Sequence, residues 1–573
     1  MNNKHKIFGI HLKKRKIALL FFLYEAIFLI ISNATETNKD RFSAEDLIKF
    51  LRSRQHLKTQ AAIENYDNTK CGFWLNAEIV KNWNKFTELQ KAEISYLMQP
   101  PSMQCTTSVG HFRIMYDTVG ENMPSLLDES NAPIPGTSRA YVDSVGRIFN
   151  YVWEVLIEQM EFEKPPIKDS LYEVYIENIY EFGVTMFDDP PINNSEPYRY
   201  YSYIIIDNDF CEKRTKGMAG LKVTAAHEFH HAIQLGYGFW PNDIYANELT
   251  STWIEDVVYT DVNDYYYELP KYFFSYITYS SYITGGFWAG RPFYFYDPQM
   301  AGYERCIWAH FLSKKYGQNI MRKIWEKMQT KPFLESTDDI LHQYNTNLAA
   351  AFGEFTYWNY FTADRANPDK YYPEGEHYPR FRPLQQTNLS SNSITMNANV
   401  YELSSTMYEC AIGIDTISII VANIDVRAGI NREFSERNLQ ITISTSNIEP
   451  PYTQLANGAR VKISVSDNIE NWHYFIPEIS KHRDASPNPC ILSKSNQLQL
   501  PIEDDIAKIA EVYFYAPSLE LAYFGTFNVA YEYGTRFISV PTAVIKEKLA
   551  SGIYIVVAKT FRKNYKWKVA IIK

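Results

Sequence analysis

The chain has 573 residues, of which 46% are hydrophobic and 21% are charged, and its formal net charge is −9. This length predicts several domains rather than one core, and the hydrophobic content excludes a wholly disordered chain. The acidic balance lacks the electrostatic footprint of a nucleic-acid-binding protein, so we expect no nucleic-acid partner.

Residues 1–34 are typical of a signal peptide. The basic run NNKHKIFGIHLKKRK precedes the apolar run IALLFFLYEAIFLIIS, and SNA supplies small residues for cleavage after Ala34. An uncleaved anchor is the alternative, but Glu25 interrupts the apolar run, which is shorter than the roughly 20 residues of a spanning helix. The leader carries six lysines and arginines and one glutamate, a net of +5, so its removal takes the charge from −9 to −14. We expect a secreted or cell-surface protein with no membrane span after cleavage.

Residues 35–70 form an N-terminal segment or pro-segment, in which FSAEDLIKFLRSRQ predicts a short helix capped by Ser43. The six cysteines of the chain are too far apart for a CxxC-type metal site. Because exported proteins fold in an oxidising compartment, we expect a disulfide. Cys71 with Cys105 is the first choice, since both lie in the same early segment.

Residues 71–385 are predicted to mix strands and helices in one domain. HFRIMYDT, YEVYIENI and YYSYIIIDNDF predict strands. The last of these strands is expected to lie beside the helix that follows it, GLKVTAAHEFHHAIQL, where it could bind an extended peptide as an additional strand. Helices are predicted for AYVDSVGRIFNYVWEVLIEQM, GLKVTAAHEFHHAIQL, ELTSTWIEDVVYTDV and YERCIWAHFLSKKYGQNIMRKIWEKM.

The candidate site lies in HEFHH, residues 227–231. His227 and His231 are about one turn apart on a helix and share a face, so two imidazoles can bind one ion, while Glu228 flanks that face. This HExxH pattern indicates a zinc (Zn2+) site in which Glu228 is the base for a zinc-bound water. A third ligand is expected on a later helix, where Glu248 and Glu255 lie two turns apart. Binding in another register, through His227 and His230, is the alternative.

The stretch HEFHHAIQ followed by NELTSTW resembles the gluzincin pattern, an HExxH motif with a downstream glutamate. This resemblance implies that Glu248 is the third metal ligand and Glu255 a carboxylate behind the ligands, with Glu255 kept as the alternative ligand. The stretch from Cys71 to about Pro383 resembles a group of exported bacterial metalloproteases. The pieces that carry this likeness include HFRIMYDTVG, YVDSVGRIFNYVWEV and STWIEDVVYTDVNDY.

GYERCIWAHFL resembles the tyrosine-bearing helix start of gluzincin aminopeptidases. The resemblance implies that Tyr303 is a catalytic residue that donates a hydrogen bond to the oxyanion. Arg305 and Cys306 stand where that pattern has lysine and glycine. The alternative is that Tyr303 is an ordinary aromatic residue at the start of a helix.

Short alternating runs after residue 385 predict two β-sandwich domains, at residues 386–485 and 486–573. SPNPCILSKSNQLQLPI and SGIYIVVAK resemble the sorting domain of type IX secretion, which implies that machinery as a partner. An ordinary terminal β-sandwich is the alternative.

The expected fold class is therefore an α+β zincin-like (gluzincin) catalytic domain followed by two all-β sandwich domains. The expected function is that of an exported zinc metallopeptidase acting on protein or peptide substrates. One alternative is a catalytically inert cell-surface binding or adhesion protein on the same scaffold. Another is zinc-dependent hydrolysis of a non-peptide amide such as a cell-wall crosslink.

Overall fold

The computed structural model is a mixed α/β structure with several sheets. It describes residues 43–55, 70–188, 190–273, 277–279, 282–284, 292–294, 302–381, 383–389, 392–412, 415–432, 437–445, 453–454, 460–466, 472–475, 479–480, 490–493, 495–502, 507–532 and 535–573. The predicted signal peptide and most of the predicted pro-segment lie outside these ranges. Within them, no helix is long and apolar enough to cross a membrane.

A five-stranded sheet forms the centre of the N-terminal region, in the order β1-β2-β5-β7-β6. Its strands are β1 Cys105–Val109, β2 Phe112–Tyr116, β5 Tyr172–Glu177, β6 Gly183–Asp188 and β7 Tyr201–Asp207, and a small hairpin of β3 Leu126–Leu127 and β4 Pro133–Ile134 lies beside it. β2, β5 and β7 run parallel, whereas β1 and β6 pair antiparallel at the two edges.

Both faces of this sheet are covered, because its strands alternate between two hydrophobic clusters. Ile204 and Ile206 of β7 lie in the cluster shared with the site helix, whereas Tyr203 and Ile205 lie in a second cluster on the opposite face. The second cluster is completed by the N-terminal helices α1 Ala44–Gln55 and α2 Phe73–Asn82, with α3 Glu88–Leu97 beside them. Ser43 caps α1 as predicted, since its Oγ accepts a hydrogen bond from the Asp46 amide at 3.2 Å.

The predicted peptide-binding role of β7 is wrong. β7 is an interior strand that pairs with β5 on one side and with β6 on the other. β6 was not predicted. Its six residues pair with six of the seven residues of β7, and only Asp207 has no partner in β6. The edge beside the site helix therefore belongs to β6.

The remaining helices of the N-terminal region follow in chain order. They are α4 Ser138–Trp153, α5 Gly217–Tyr237, α6 Ile244–Val258, α7 Leu269–Phe273, α8 Cys306–Tyr316, α9 Ile320–Met328, α10 Phe333–His342 and α11 Leu348–Trp358, with a short hairpin of β8 Ile277–Tyr279 and β9 Tyr282–Thr284. α4 continues as a π-helical turn, Glu154–Gln159. The long helix predicted from Tyr303 is two helices, because Gly317 takes a left-handed φ of +96° between α8 and α9.

Two sheets follow residue 384, with a short helix, α12 Val426–Asn431, between β13 and β14. One contains β10 Gln385–Asn388, β12 Ser404–Ile412, β13 Asp415–Asn423, β17 Trp472–Phe475 and β18 Ile479–Ser480, and the other β11 Ser393–Val400, β14 Arg437–Ser444, β15 Thr453–Gln454 and β16 Arg460–Ser466. Residues of both sheets meet in one hydrophobic cluster. Alternate residues of β12 and β13, such as Met407 and Ile420, instead join the core around α11.

The C-terminal strands form one hydrogen-bonded path of seven, β19-β25-β24-β21-β22-β23-β20. These are β19 Cys490–Ile491, β20 Gln497–Ile502, β21 Ile509–Tyr515, β22 Leu521–Glu532, β23 Thr535–Pro541, β24 Gly552–Lys559 and β25 Asn564–Ile572, with α13 Thr542–Lys548 before β24. All seven strands contribute to a single hydrophobic cluster, so the sheet curls around it towards a barrel.

Candidate metal centre

The helix α5 carries the HEFHH motif through the interior of the protein. Val223, Ala226 and Phe229 are fully buried, and so are the histidines themselves. A helix that is apolar on all sides is stable only when other elements cover all of it. Here β6, β7, α4 and α6 pack against it, which places the imidazoles where they must find partners inside the protein.

Three of the predicted ligands converge. The Nε2 atoms of His227 and His231 are 3.1 Å apart. Oε2 of Glu248, on the neighbouring helix α6, lies 3.2 Å from Nε2 of His227 and 3.5 Å from Nε2 of His231. All three side chains are buried. The structure thus brings together the set His227, His231 and Glu248.

The outer nitrogens of the two imidazoles are held by oxygen atoms. Nδ1 of His227 lies 2.7 Å from Oε1 of Glu255, and Nδ1 of His231 lies 2.7 Å from Oε1 of Gln234. Carboxylate and amide oxygens only accept hydrogen bonds, so each Nδ1 carries the proton. Each neutral ring then directs a bare Nε2 lone pair at the other ring and at Glu248.

Two imidazole lone pairs and a carboxylate repel one another at these distances unless a positive charge lies between them. Burial lowers the pKa of His227 and of His231, which disfavours a proton as that charge. Oε1 of Glu248 is buried and has no hydrogen-bond partner within the described ranges. Imidazole nitrogens with oxygen-bound Nδ1 atoms and an adjacent carboxylate are a donor set that fits a metal ion.

Glu255 lies behind the ligands rather than among them. One of its carboxylate oxygens holds Nδ1 of His227, and the other is paired with the ammonium group of Lys70. Burial raises the pKa of Glu255 to about 8, although the charge of Lys70 opposes this. The role that the resemblance implies for Glu255, a carboxylate behind the ligands, stays a prediction.

A buried ion cluster continues outward from Glu255. Nζ of Lys70 also lies 2.5 Å from Oδ2 of Asp264, which accepts a hydrogen bond from Arg214 at 2.8 Å. Arg214 is paired in turn with Glu268 at 2.5 Å. Lys70 and Asp264 are each only 2% exposed. The cluster fixes the start of the segment that enters the site at residue 70.

Glu228, the predicted base, is buried beside these ligands and is held by β6. The Oγ1 atom of Thr185 lies 2.8 Å from both the carbonyl oxygen and Oε2 of Glu228. Gly183 of the same strand faces α5 so closely that an added Cβ would lie 2.6 Å from Thr224 and 2.9 Å from Glu228. Only glycine allows the strand edge and the carboxylate to approach in this way.

The fourth member of the cluster is Cys71, which was not predicted as a ligand. Its sulfur and the ligand atoms of His227, His231 and Glu248 all lie within 4.8 Å of one another. The predicted Cys71–Cys105 disulfide is wrong, because all six cysteines, each within the described ranges, are free. Burial and the carboxylates of Glu228 and Glu248 raise the pKa of the Cys71 thiol well above its ordinary range.

Tyr303, the predicted oxyanion donor, is buried at the same site. Its hydroxyl accepts a hydrogen bond from the Cys71 amide at 3.1 Å and lies 3.4 Å from the Cys71 carbonyl oxygen. Its ring centroid is 5.9 Å from that of His227. The tyrosine therefore lies beside His227, and its hydroxyl group contacts the backbone of Cys71.

His230, the third histidine of the motif, points elsewhere. Its Nδ1 atom lies 2.9 Å from Oγ of Ser251 and 2.9 Å from Nε2 of Gln234. Its ring packs edge-on against Phe162 and Trp325. The alternative register through His227 and His230 is thus not the one in which side chains converge.

No family model and no curated protein matches this chain.

Proposed function

We propose that this chain is a zinc-dependent hydrolase of peptide bonds with a zincin-like catalytic domain. The observation that carries the proposal is the convergence of His227, His231 and Glu248 on one point, with Glu228 alongside. His227, His231 and Glu248 would hold the metal. A bound zinc ion supplies a Lewis acid that polarises a carbonyl group and lowers the pKa of a coordinated water.

Glu228 is the proton carrier in this proposal. Its carboxylate accepts the proton of the attacking water and delivers it to the leaving amine. The Thr185 hydroxyl donates a hydrogen bond to Oε2 of Glu228 and so fixes the orientation of that carboxylate. The Tyr303 hydroxyl is a donor for the oxygen of the scissile carbonyl once it is free of Cys71.

A peptide substrate is favoured by the position of β6. It is the edge strand of the central sheet and passes directly beside Glu228 at Gly183. An extended peptide can pair with such an edge through its backbone, which brings its carbonyl groups to the site.

The location outside the cell is part of the proposal and depends on the leader in residues 1–34. We also propose that the two sheets between β10 and β18 form a β-sandwich and that the C-terminal unit is the sorting domain for type IX secretion. The shared hydrophobic cluster of the two sheets supports the sandwich. The sorting role depends on the likeness of SPNPCILSKSNQLQLPI and SGIYIVVAK to such domains.

Replacement of Glu228 by glutamine tests the proposal. We expect the zinc-loaded protein to hydrolyse a fluorogenic peptide or casein, and Glu228→Gln to lose at least about a hundredfold in turnover, the low end of what a general base contributes. Zinc content, measured by elemental analysis, should be unchanged, because Glu228 is not a ligand. Equal and measurable hydrolysis by the two proteins would contradict the proposal.

Because Cys71 lies in the same cluster, a Cys71→Ala variant is assayed as well. Absence of hydrolysis in both this variant and wild type would instead favour an inert binding protein on this scaffold. Activity on peptidoglycan fragments with none on protein would favour a cell-wall amide as substrate. Zinc content is measured in each case, because the inert alternative allows the zinc to be structural or absent.

Thr185→Val should lower turnover by about tenfold, the effect of one hydrogen bond of about 1.4 kcal/mol, with zinc content unchanged. The valine keeps the shape of the side chain but leaves Glu228 without its donor. Thr224→Val is the matched control, because the Thr224 hydroxyl, also buried at this edge, has no hydrogen-bond partner among the described residues. Equal turnover in Thr185→Val and wild type would exclude the positioning role.

A further inference from the structure

The segment Lys70–Gly72 lies along the edge of β6, where a substrate peptide is proposed to bind. The Lys70 carbonyl oxygen accepts a hydrogen bond from the Phe182 amide at 3.0 Å, and the Gly72 amide donates to the Gly183 carbonyl oxygen at 3.3 Å. Cys71 thereby forms a parallel β-bridge with Gly183. The chain has added three residues of its own to the strand edge beside Glu228.

This pairing directs the Cys71 side chain at the metal ligands. The sulfur is within 4.8 Å of the ligand atoms of His227, His231 and Glu248, and it accepts a hydrogen bond from the Phe73 amide at 3.3 Å. Thiolate sulfur is a preferred ligand of zinc, and two imidazoles, one carboxylate and one thiolate complete a tetrahedral set.

Other groups of the proposed site are occupied by the same segment. The hydroxyl of Tyr303 contacts the backbone of Cys71 on both its amide and its carbonyl side. The ring of Phe73 stacks on His231, with centroids 4.0 Å apart and an interplanar angle of 4°. At the other end, Lys70 is fixed by Glu255 and Asp264.

We infer that Cys71 is a fourth ligand of the metal and that Lys70–Gly72 closes the site, so that this chain is a latent form of the enzyme. The inference rests on the proposed function. A catalytic zinc site keeps one position open for water, whereas four protein ligands leave none. Opening requires that the sulfur–metal bond be exchanged for a water–metal bond and that the segment leave the β6 edge, with loss of its contacts to Tyr303, Glu255 and Asp264.

The ligand is tested by spectroscopy, independently of activity. The metal-free full-length protein is loaded with Co2+ alone. We expect a thiolate-to-cobalt charge-transfer absorption in the near ultraviolet for wild type and its loss in Cys71→Ala. Cys211→Ala is the control, because that cysteine lies outside the cluster, and it should keep the absorption. Cobalt binding to wild type without this absorption would overturn the inference.

The latent state is tested by turnover of a fluorogenic peptide. Removal of the fourth ligand should raise turnover by about tenfold or more, since it opens a coordination position. Cys71→Ser serves as a second variant in case Cys71→Ala does not fold, and Cys211→Ala should match wild type. Thiolate absorption in wild type together with unchanged turnover in folded, zinc-loaded Cys71→Ala and Cys71→Ser would overturn the latent state.

Failure of this inference and failure of the proposed function are distinguishable. Full peptide hydrolysis by wild type without thiolate absorption overturns the inference and keeps the proposed function. A thiolate absorption with no hydrolysis in either Cys71 variant identifies a closed, structural metal site, which overturns both. Increased hydrolysis in Cys71→Ala that is lost again in Cys71→Ala/Glu228→Gln supports both.

Discussion

Replacement of Glu248 by glutamine should lower the affinity of the protein for zinc by more than about a hundredfold, whereas Glu255→Gln should cost about ten- to a hundredfold. The difference follows from position. Oε2 of Glu248 faces both Nε2 atoms, while Glu255 contacts His227 on the far side of its ring and is paired with Lys70. Loss of Glu248 removes a charged donor, whereas loss of Glu255 frees the orientation of one ring and removes one partner of Lys70 but leaves the three proposed ligands in place.

Affinity is measured by competition with a chromophoric chelator. Glu88→Gln is the control, because its carboxylate is 90% exposed on α3, and it should bind zinc like wild type. A larger loss for Glu255→Gln than for Glu248→Gln would reverse the assignment and make Glu255 the ligand. Near-wild-type binding in both variants would show that zinc is held elsewhere.

The pair of imidazoles was predictable because its geometry is local. Spacing of four on a helix places His227 and His231 on one face, and the apolar residues around them predict burial. The next helix offered Glu248 and Glu255 on one face, and spacing alone could not separate them. The tertiary structure separates them, because α6 crosses α5 with Glu248 opposite the Nε2 atoms.

Neither the position of Cys71 at the site nor the strand β6 could be predicted from the sequence, and the physical reason is the same for both. Cys71 comes to the site through backbone pairing with Gly183, and neither the pairing nor its register is encoded in a local pattern. The strand GVTMFD is short and follows no strict alternation, since five of its six residues are buried. A glycine within a strand can indicate a close approach of another backbone or side chain, but Gly183 had this meaning only once the strand itself was known.

Gln234 was visible within HEFHHAIQ, but its function was not. It lies three residues after His231, about one helical turn, and its amide oxygen orients that imidazole. Its amide nitrogen in turn contacts Asn247 and Thr250 on α6. A periodicity argument assigns such a residue to a helix face without saying which atom it holds.

Replacement of Asp264 by asparagine should lower the free energy of unfolding by about 3 kcal/mol or more, the scale for removal of one member of a buried ion pair. Asp264 is contacted by Lys70, Arg214 and Thr215. The asparagine has nearly the same volume as the aspartate but no charge, so the buried cations Lys70 and Arg214 each lose one of their carboxylate partners. Urea unfolding followed by tryptophan fluorescence measures the effect, and Asp261→Asn is the control. Asp261 is 70% exposed and pairs with Lys222, so its loss should cost less than about 1 kcal/mol.

The pH dependence of this difference has a defined sign. Burial acts to raise the pKa of Asp264, but the charges of Lys70 and Arg214 outweigh it and hold that pKa well below its ordinary value of 3.8. A depressed carboxylate pKa stabilises the folded state above the ordinary value, and this contribution is lost as the pH falls towards the folded-state pKa. The gap between wild type and Asp264→Asn should therefore be constant from pH 7 to about 5 and shrink below about 4. A gap that widens on acidification would mean that Asp264 is protonated in the folded protein and that Lys70 is held by Glu255 alone.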